Sequence, residues 1–114
     1  MLQRRSTPRA QADVPVVVYA DGYRFETRTL DLSTKGMRFA ASPGLACHAD
    51  RPYFLVELAL ESGESPAMAM ARTAWWRAGE AAFYFILMGD IDRLSVAEKM
   101  DEAVRAGLSV VGAD

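Results

Sequence analysis

The sequence has little of the chemistry on which many enzymes and metal sites depend. Its 114 residues include one cysteine and one histidine, Cys47 and His48. A single cysteine excludes an intrachain disulfide framework, and a single histidine excludes a multi-histidine metal site. The two residues are chain neighbours whose side chains point to opposite sides of an extended chain, so they do not predict a nucleophile–base pair. We therefore expect no catalytic residue, no metal site and no enzymatic activity.

Long apolar runs are also absent. The longest uncharged apolar run is residues 81–88, far short of the ~20 residues that a membrane helix needs. No apolar stretch follows the arginines near the N-terminus, which argues against a signal peptide. A composition of 51% hydrophobic and 25% charged residues is that of a single globular domain. The sequence therefore predicts one domain, not embedded in a membrane, in the reducing cytoplasm.

The chain has no overall positive charge, but positive charge is concentrated at its start. Residues 1–12 carry Arg4, Arg5 and Arg9 and no acid, a charge of +3, so residues 13–114 must carry −5 to give the net charge of −2. This segment has no apolar periodicity and predicts a flexible basic arm, although a solvated terminus without a function has the same pattern. Eleven of the 13 basic residues are arginine, whose planar fork of donors suits phosphates and the O6/N7 edge of guanine.

Apolar alternation and turn residues predict six β-strands. The predicted strands are residues 14–20, 23–29, 37–41, 53–61, 67–77 and 81–88. Asp21 and Gly22 predict a tight hairpin between the first two, because both turn positions need positive φ. Residues 67–77 begin with alanine and methionine, which are equally compatible with a helix, but the tryptophans at their end favour a strand. Residues 42–52 predict a loop.

A helix is predicted over about residues 92–107. Ser95 and Glu98 form a capping-box pattern, and Arg105 near the other end complements the helix dipole. Asp90 and Asp92 could bind a cation, but they fit better as acidic residues at the helix N-terminus. The apolar face is predicted from Ala97, Met100, Val104 and Leu108, with Gly107 as a stop. Six antiparallel strands and one helix predict an all-β barrel or sandwich with a helical appendix.

Two short motifs lie in this framework. Arg5 and Arg9 form an RxxxR pattern in the arm, and Asp31, Ser33 and Gly36 form a DxSxxG pattern after the second predicted strand. Each motif alone occurs often by chance, but the two in this order are specific. Together they resemble the PilZ domain family of bacterial cyclic di-GMP receptors, over nearly the whole chain. The resemblance implies a six-stranded antiparallel β-barrel with a C-terminal α-helix.

The resemblance also implies a ligand site. Cyclic di-GMP offers two phosphodiesters and two guanines, so arginine forks can bind phosphate oxygens or the O6/N7 edge. An aspartate can accept hydrogen bonds from guanine N–H groups, a serine can donate to an oxygen, and a glycine allows close backbone approach or positive φ. An extra arginine before the motif is compatible with two stacked ligand molecules instead of one. The expected ligand-binding residues are Arg4, Arg5, Arg9, Asp31, Ser33 and Gly36, with Trp75 and Lys35 as additional candidates.

Some positions depart from the family pattern. Ala82 stands where the family often has a glycine, and residues 42–52 are either a partner-specific surface or a solvated loop. Trp75 and Trp76 are expected to face opposite sides of their strand, one in the core and the other exposed or stacked on the ligand, and the sequence does not assign which.

These observations predict a receptor or adaptor rather than an enzyme. We expect it to bind cyclic di-GMP without a cofactor, to order its arm on binding and to signal through contact with an effector protein that the sequence does not identify. Motility, surface polysaccharide and adhesion (biofilm-related outputs) are all compatible with the resemblance. The alternatives are a PilZ-type interaction module that does not bind nucleotide and a small barrel that binds single-stranded nucleic acid. The acidic body argues against DNA or RNA as a partner.

Overall fold

The structure is a computed structural model that describes residues 9–10, 12–60, 65–105 and 110–111. Its described part contains eight strands and two helices. The strands are β1 (Arg9–Ala10), β2 (Pro15–Ala20), β3 (Tyr23–Leu32), β4 (Gly36–Ala40), β5 (Phe54–Leu58), β6 (Ala67–Arg77), β7 (Glu80–Met88) and β8 (Val110–Val111). The helices are α1 (Pro43–Ala46) and α2 (Asp90–Arg105).

Strands β2 to β7 form a closed antiparallel barrel. Their order is β2-β5-β6-β7-β4-β3, and the pairing of β2 with β3 closes the sheet. Asp21 and Gly22 connect β2 to β3 with φ values of 52° and 82°, as the hairpin pattern predicts. The predicted six-stranded barrel with a C-terminal helix is confirmed, and residues 67–77 are a strand.

The barrel interior is filled by alternating side chains of every strand. In β2, Val16, Val18 and Ala20 point inwards, while the residues between them are half-buried. At the centre, the rings of Phe54 and Phe83 stack with centroids 4.7 Å apart. Such ring pairs add to the burial of apolar area, which is the main favourable contribution to folding.

One helix lies within the segment that was predicted to be a loop. Ser42 caps α1, with its Oγ accepting a hydrogen bond from the Leu45 N–H at 3.1 Å, and Pro43 opens the helix. Leu45 is buried and anchors this turn to the core. The prediction for residues 42–52 is therefore wrong at residues 43–46, although a serine cap followed by proline is a helix-start signal that the sequence carries.

Helix α2 begins at Asp90, five residues before the predicted capping serine. Ser95 does not cap it: its hydroxyl donates to the backbone carbonyl of Ile91 at 3.0 Å, from within the helix. Asp90 and Asp92 lie in the first turn and Arg105 in the last, as the dipole argument expects. The Oδ2 of Asp92 also accepts from the Met68 N–H of β6 at 3.2 Å, which fastens the first turn to the barrel.

The buried face of α2 differs from the predicted one. Val96 and Ala103 are buried, and Met100 packs against the core, whereas Val104 is exposed. Met100 is thus on the covered face as predicted, whereas Val96 and Ala103 take the places expected for Ala97 and Val104, because the position of α2 on β6 and β1 decides which stripe is covered. Gly107 and Leu108 lie outside the described residues. Within the described part of the chain, no helix is long and apolar enough to cross a membrane.

Part of the predicted arm belongs to the sheet. Ala10 pairs with Leu32 of β3, and β1 also pairs with β8. Ala12 is buried in the core, so the packed domain includes a residue before the predicted boundary at 13. The expectation of a free arm therefore does not extend to these positions, because strand pairing and burial attach them to the barrel. Residues 1–8 lie outside the described residues, and their flexibility stays a prediction.

Candidate functional site

The DxSxxG motif ends β3 and forms the turn into β4. The Ser33 hydroxyl accepts hydrogen bonds from the N–H groups of Lys35 at 3.0 Å and Gly36 at 3.1 Å, and its Oγ lies 3.3 Å from the Gly36 carbonyl, to which it can donate. The Ser33 N–H donates to the same carbonyl at 2.9 Å. Serine side chains close turns in this way. The buried Ser33 hydroxyl is thus committed to the turn, and its predicted contact with a ligand stays a prediction.

Gly36 is where this turn meets β7. It pairs with Tyr84, and a Cβ added to Gly36 would overlap the backbone carbonyl oxygen of Phe83 and lie 3.3 Å from its carbon. Of the two reasons that the sequence left open for this glycine, the structure supports close backbone approach, because the positive-φ glycines of the described residues are Gly22 and Gly79.

A β-bulge determines where Asp31 points. Thr29 pairs with the inward-facing Phe39, but the next pair joins Asp31 to Arg38, so two steps along β3 correspond to one along β4. Regular alternation would place Asp31 on the inner face together with Thr29, and the bulge turns it to the face of Arg38. The Asp31 side chain is only 1% exposed, and its Oδ2 accepts from Arg38 Nε–H at 2.9 Å.

Arg38 is a site residue that the sequence reasoning missed. Its Nη1 donates to Glu80 Oε1 at 3.0 Å, so one guanidinium on β4 joins carboxylates of β3 and β7. The hydrogen bond to Asp31 is the main cause that raises the pKa of Arg38, against the opposing effect of burial. Because a raised arginine pKa favours the charged form, Arg38 keeps its positive charge beside Asp31 and Glu80 throughout the neutral range. The available signal was a single charged residue in an otherwise apolar strand.

A second bulge turns Trp75 to the same outer face. Thr73 pairs with the inward-facing Phe83, but Trp75 pairs with Ala82, and Trp76 pairs with Ala81. The two tryptophans therefore face opposite sides, as predicted, and Trp76 is the one that packs against the core.

The two bulges align side chains from four strands. Asp31 pairs with Arg38, Arg38 with Ala82, and Ala82 with Trp75, so these residues lie in one row across β3, β4, β7 and β6. We call them the outer row. Directly paired residues share a face of the sheet, so the outer row carries a carboxylate, a guanidinium and an indole. Arg77 lies at the end of the row, with its guanidinium carbon 4.2 Å from the centre of the Trp75 ring.

The two arginines of the RxxxR pattern are described only in part. The backbone of Arg9 lies in β1, next to the pair between Ala10 and Leu32, and therefore near the end of β3 that carries Asp31. Arg4 and Arg5 lie outside the described residues. Lys35 is exposed in the turn, and its carbonyl accepts from the Phe85 N–H at 2.8 Å.

The arrangement is suited to binding. A buried carboxylate accepts donors, guanidinium groups bind anions, and an indole with a stacked guanidinium offers a planar surface. Away from the outer row, the Nδ1 of His48 lies 2.6 Å from Asp21 Oδ2, and Arg51 also pairs with Asp21. His48 is thus held by the β2–β3 hairpin, while the neighbouring Cys47 is exposed.

Comparisons with known proteins agree on the fold. A family model described as PilZ domain matches residues 3–97. Similar solved structures include the inhibitor of motility MotI/DgrA of Bacillus subtilis, at 14% identity and a TM-score of 0.70, over 93% of this chain and 52% of that chain. The PilZ domain of YcgR from Escherichia coli, solved with c-di-GMP, is similar at 18% identity and a TM-score of 0.62, over 92% of this chain and 95% of that one.

The PilZ domain of CeSA from a cellulose-synthesizing bacterium is similar at 23% identity and a TM-score of 0.59, over 82% of this chain and 95% of that chain. The present chain spans about half the length of the motility inhibitor. At identities below 25%, these likenesses show the fold alone. A comparison with curated proteins finds no match.

Proposed function

Because the chain belongs to the PilZ domain family, we propose that it is a receptor for cyclic di-GMP that signals through contact with an effector protein. PilZ domains are receptor or adaptor modules and generally not enzymes. One similar structure is a PilZ domain solved with c-di-GMP. We therefore treat the turn, the outer row and the N-terminal arginines as one site.

The observation that carries the proposal is the pairing of β1 with β3. It joins Ala10 to Leu32, so the backbone that follows the RxxxR motif lies beside the residue that follows Asp31. Arg9, the last residue of the first motif, and Asp31 are more than 20 residues apart in sequence, and this pairing supports the proposal that the two motifs act at one end of β3. Arg5 lies four residues before Arg9, a span of at most about 14 Å of extended chain. Both arginines are therefore within reach of a ligand held at this end.

Each part of the site has a proposed role. The arginine forks bind phosphodiester oxygens or the O6/N7 edge of guanine. Asp31 accepts from guanine N–H groups, while Ser33 and Gly36 hold the turn in the shape that the ligand contacts. A guanine stacks against the pair formed by Trp75 and Arg77, where a cation already lies on the indole ring.

The proposed output is a protein–protein contact. Leu87 is 71% exposed, Ile91 80% and Leu94 60%, at the end of β7 and the start of α2. Exposed apolar side chains of this kind are common in interaction surfaces. Ordering of the residues before β1 around a ligand would change the surface available to a partner. Control of motility is one candidate output, since a similar structure is an inhibitor of motility.

Calorimetric titration with cyclic di-GMP tests the proposal. We expect binding at tens of micromolar protein, and a loss of about tenfold or more in affinity in Arg9→Ala, because one good bidentate contact discriminates by about 1–3 kcal/mol. Arg24→Ala is the matched control, since Arg24 is an exposed arginine on the β2–β3 hairpin that pairs with Glu26. No binding by the wild type, or unchanged affinity in Arg9→Ala, contradicts the proposal.

The same titration measures stoichiometry. If Arg4 supports two stacked ligand molecules, the wild type binds two per chain and Arg4→Ala binds one. A single ligand in both proteins contradicts this role of Arg4.

One observation favours the alternative, an interaction module that does not bind nucleotide. Asp31 and Ser33 already have hydrogen-bond partners within the protein. If this alternative holds, Asp31→Ala leaves partner capture unchanged, and the captured proteins are the same with and without added cyclic di-GMP.

A further inference from the structure

The Arg38 side chain connects three strands of the barrel. Its Nε–H donates to Asp31 on β3 at 2.9 Å and its Nη1–H donates to Glu80 on β7 at 3.0 Å. The Asp31 side chain is 1% exposed, the Arg38 side chain 29% and the Glu80 side chain 36%. The three side chains thus form a chain of ion pairs, with the Arg38 guanidinium between the buried Asp31 carboxylate and the half-exposed Glu80 carboxylate.

A carboxylate this deeply buried needs a positive partner. Removing a charge from water is costly unless an opposite charge and hydrogen bonds compensate for it. Arg38 supplies both to Asp31 from the neighbouring strand, in the paired position that the β3 bulge creates. The geometry of the carboxylate is therefore set by a group of the protein that is present before any ligand binds.

We infer that Arg38 is the positioning residue that orients Asp31 for recognition of guanine, and that Glu80 holds Arg38 in place. This inference rests on the proposed function. A carboxylate that accepts from the N1–H and N2–H of guanine must lie close to the plane of the base. Hydrogen bonds from a planar guanidinium are directional and restrict that plane. Holding Asp31 in one orientation reduces the ordering cost that ligand binding would otherwise carry.

A lysine at this position would not serve in the same way. Its ammonium is a single point charge on a flexible stem, whereas Arg38 places two N–H groups of one rigid plane on two carboxylates. Arg38→Lys therefore keeps the charge beside Asp31 and loses the directional constraint. Arg38→Met removes both while keeping a side chain of similar length.

The test compares two ligands. Cyclic di-GMP and its inosine analogue, which lacks both 2-amino groups, are titrated against wild type, Arg38→Met, Arg38→Lys and Asp31→Asn. We expect the wild type to prefer cyclic di-GMP by about tenfold, the value of one well-formed base contact. Arg38→Met is expected to lower the affinity for cyclic di-GMP by about tenfold. The ratio of the affinities for the two ligands then comes close to one. A merely structural defect would lower the affinities for both ligands by the same factor and leave their ratio unchanged.

A double-mutant cycle tests whether Arg38 acts through Asp31. If it does, Arg38→Met adds less than about twofold to the loss already caused by Asp31→Asn. Glu80→Gln is expected to lower the preference for guanine less than Arg38→Met does. Arg24→Met is the matched control and should leave both affinities unchanged, because Arg24 also pairs with a carboxylate, that of Glu26, but this pair lies on the exposed surface.

Each contrary outcome has a distinct meaning. If the wild type binds neither ligand, the receptor role fails and the inference fails with it. If the wild type binds but Arg38→Met keeps its affinity and preference, the receptor role stands and the inference is overturned. Additive losses in the cycle overturn it as well, because Arg38 would then act independently of Asp31. Should Arg38→Met not fold, full preference retained in Arg38→Lys is the overturning result.

Discussion

Gly36 is a residue whose identity is decided by a neighbouring strand. Its backbone lies so close to β7 that an added Cβ would overlap the Phe83 carbonyl oxygen. Backbone atoms of a central strand cannot yield as a flexible side-chain end can. The glycine of the DxSxxG motif is therefore a packing requirement of the turn, and it keeps the site's backbone next to β7.

Gly36→Ala is expected to destabilise the protein by about 1–3 kcal/mol, the usual cost of overpacking a site that cannot relax. The measurement is the free energy of unfolding from urea denaturation. Gly89→Ala is the control, since an added Cβ there meets nothing within 4 Å, and we expect a change within about 0.5 kcal/mol. Equal effects of the two substitutions would contradict the steric explanation.

Helix α2 and the DxSxxG turn are two elements joined by one side chain. The Arg93 guanidinium donates to the backbone carbonyl of Thr34, in the middle of the turn. The preceding residue, Asp92, accepts a hydrogen bond from the Met68 N–H at the start of β6. The beginning of α2 thus contacts both the DxSxxG turn and the barrel wall. Through the Arg93 contact, a change in the DxSxxG turn can reach the helix.

Arg93→Ala is expected to loosen the turn without unfolding the barrel. Loss of a hydrogen bond from a charged donor costs about 1.5–3 kcal/mol, and less where water replaces it. Hydrogen exchange of the Lys35 and Gly36 amides should accelerate, because local opening becomes easier. Arg105→Ala, which breaks an exposed pair with Asp101, is the control and should leave these amides unchanged. Unchanged exchange in Arg93→Ala would show that the contact does not support the turn.

At the scale of the whole molecule, one aromatic cluster ties opposite strands of the barrel together. Phe83 of β7 stacks on Phe54 of β5 and meets Phe39 of β4 edge to face, both with centroids 4.7 Å apart, and Trp76 packs against all three. Phe39 and Arg38 are neighbours on β4, and Phe83 and Ala82 are neighbours on β7, so each strand carries one core ring and one residue of the outer row. The stability of the core and the geometry of the outer row therefore depend on the same strands.

Phe83→Ala is expected to cost about 3–5 kcal/mol, through lost burial and the cavity left behind. Tyr84→Ala is the control, since this neighbouring ring is 55% exposed and its removal should change stability by less than about 0.5 kcal/mol. The midpoint of chemical denaturation measures both. A loss below 1 kcal/mol in Phe83→Ala would contradict a close-packed cluster.

Much of this architecture could be predicted from local patterns. Strand alternation, the Asp21–Gly22 hairpin and a C-terminal helix are properties of short segments, and the six-stranded barrel is confirmed. Helix α1 has the same kind of local signal, a serine cap before Pro43, but the prolines and glycine of this segment favour a loop when only the sequence is considered. The two motifs pointed to the family whose model matches residues 3–97.

The sequence by itself determined which residues form strands, where the hairpin turns and which motifs are present, because these depend on side-chain type over a few positions. The direction in which Asp31 and Trp75 point was decided only by the tertiary structure. Each of these residues follows a β-bulge, which moves its side chain to the other face of the sheet. The bulge exists only in the pairing with the neighbouring strand, so it cannot be recognised in the strand's own sequence. The role of Arg38 emerged in the same way, since its two carboxylates come from strands distant in sequence that meet only once the barrel has closed.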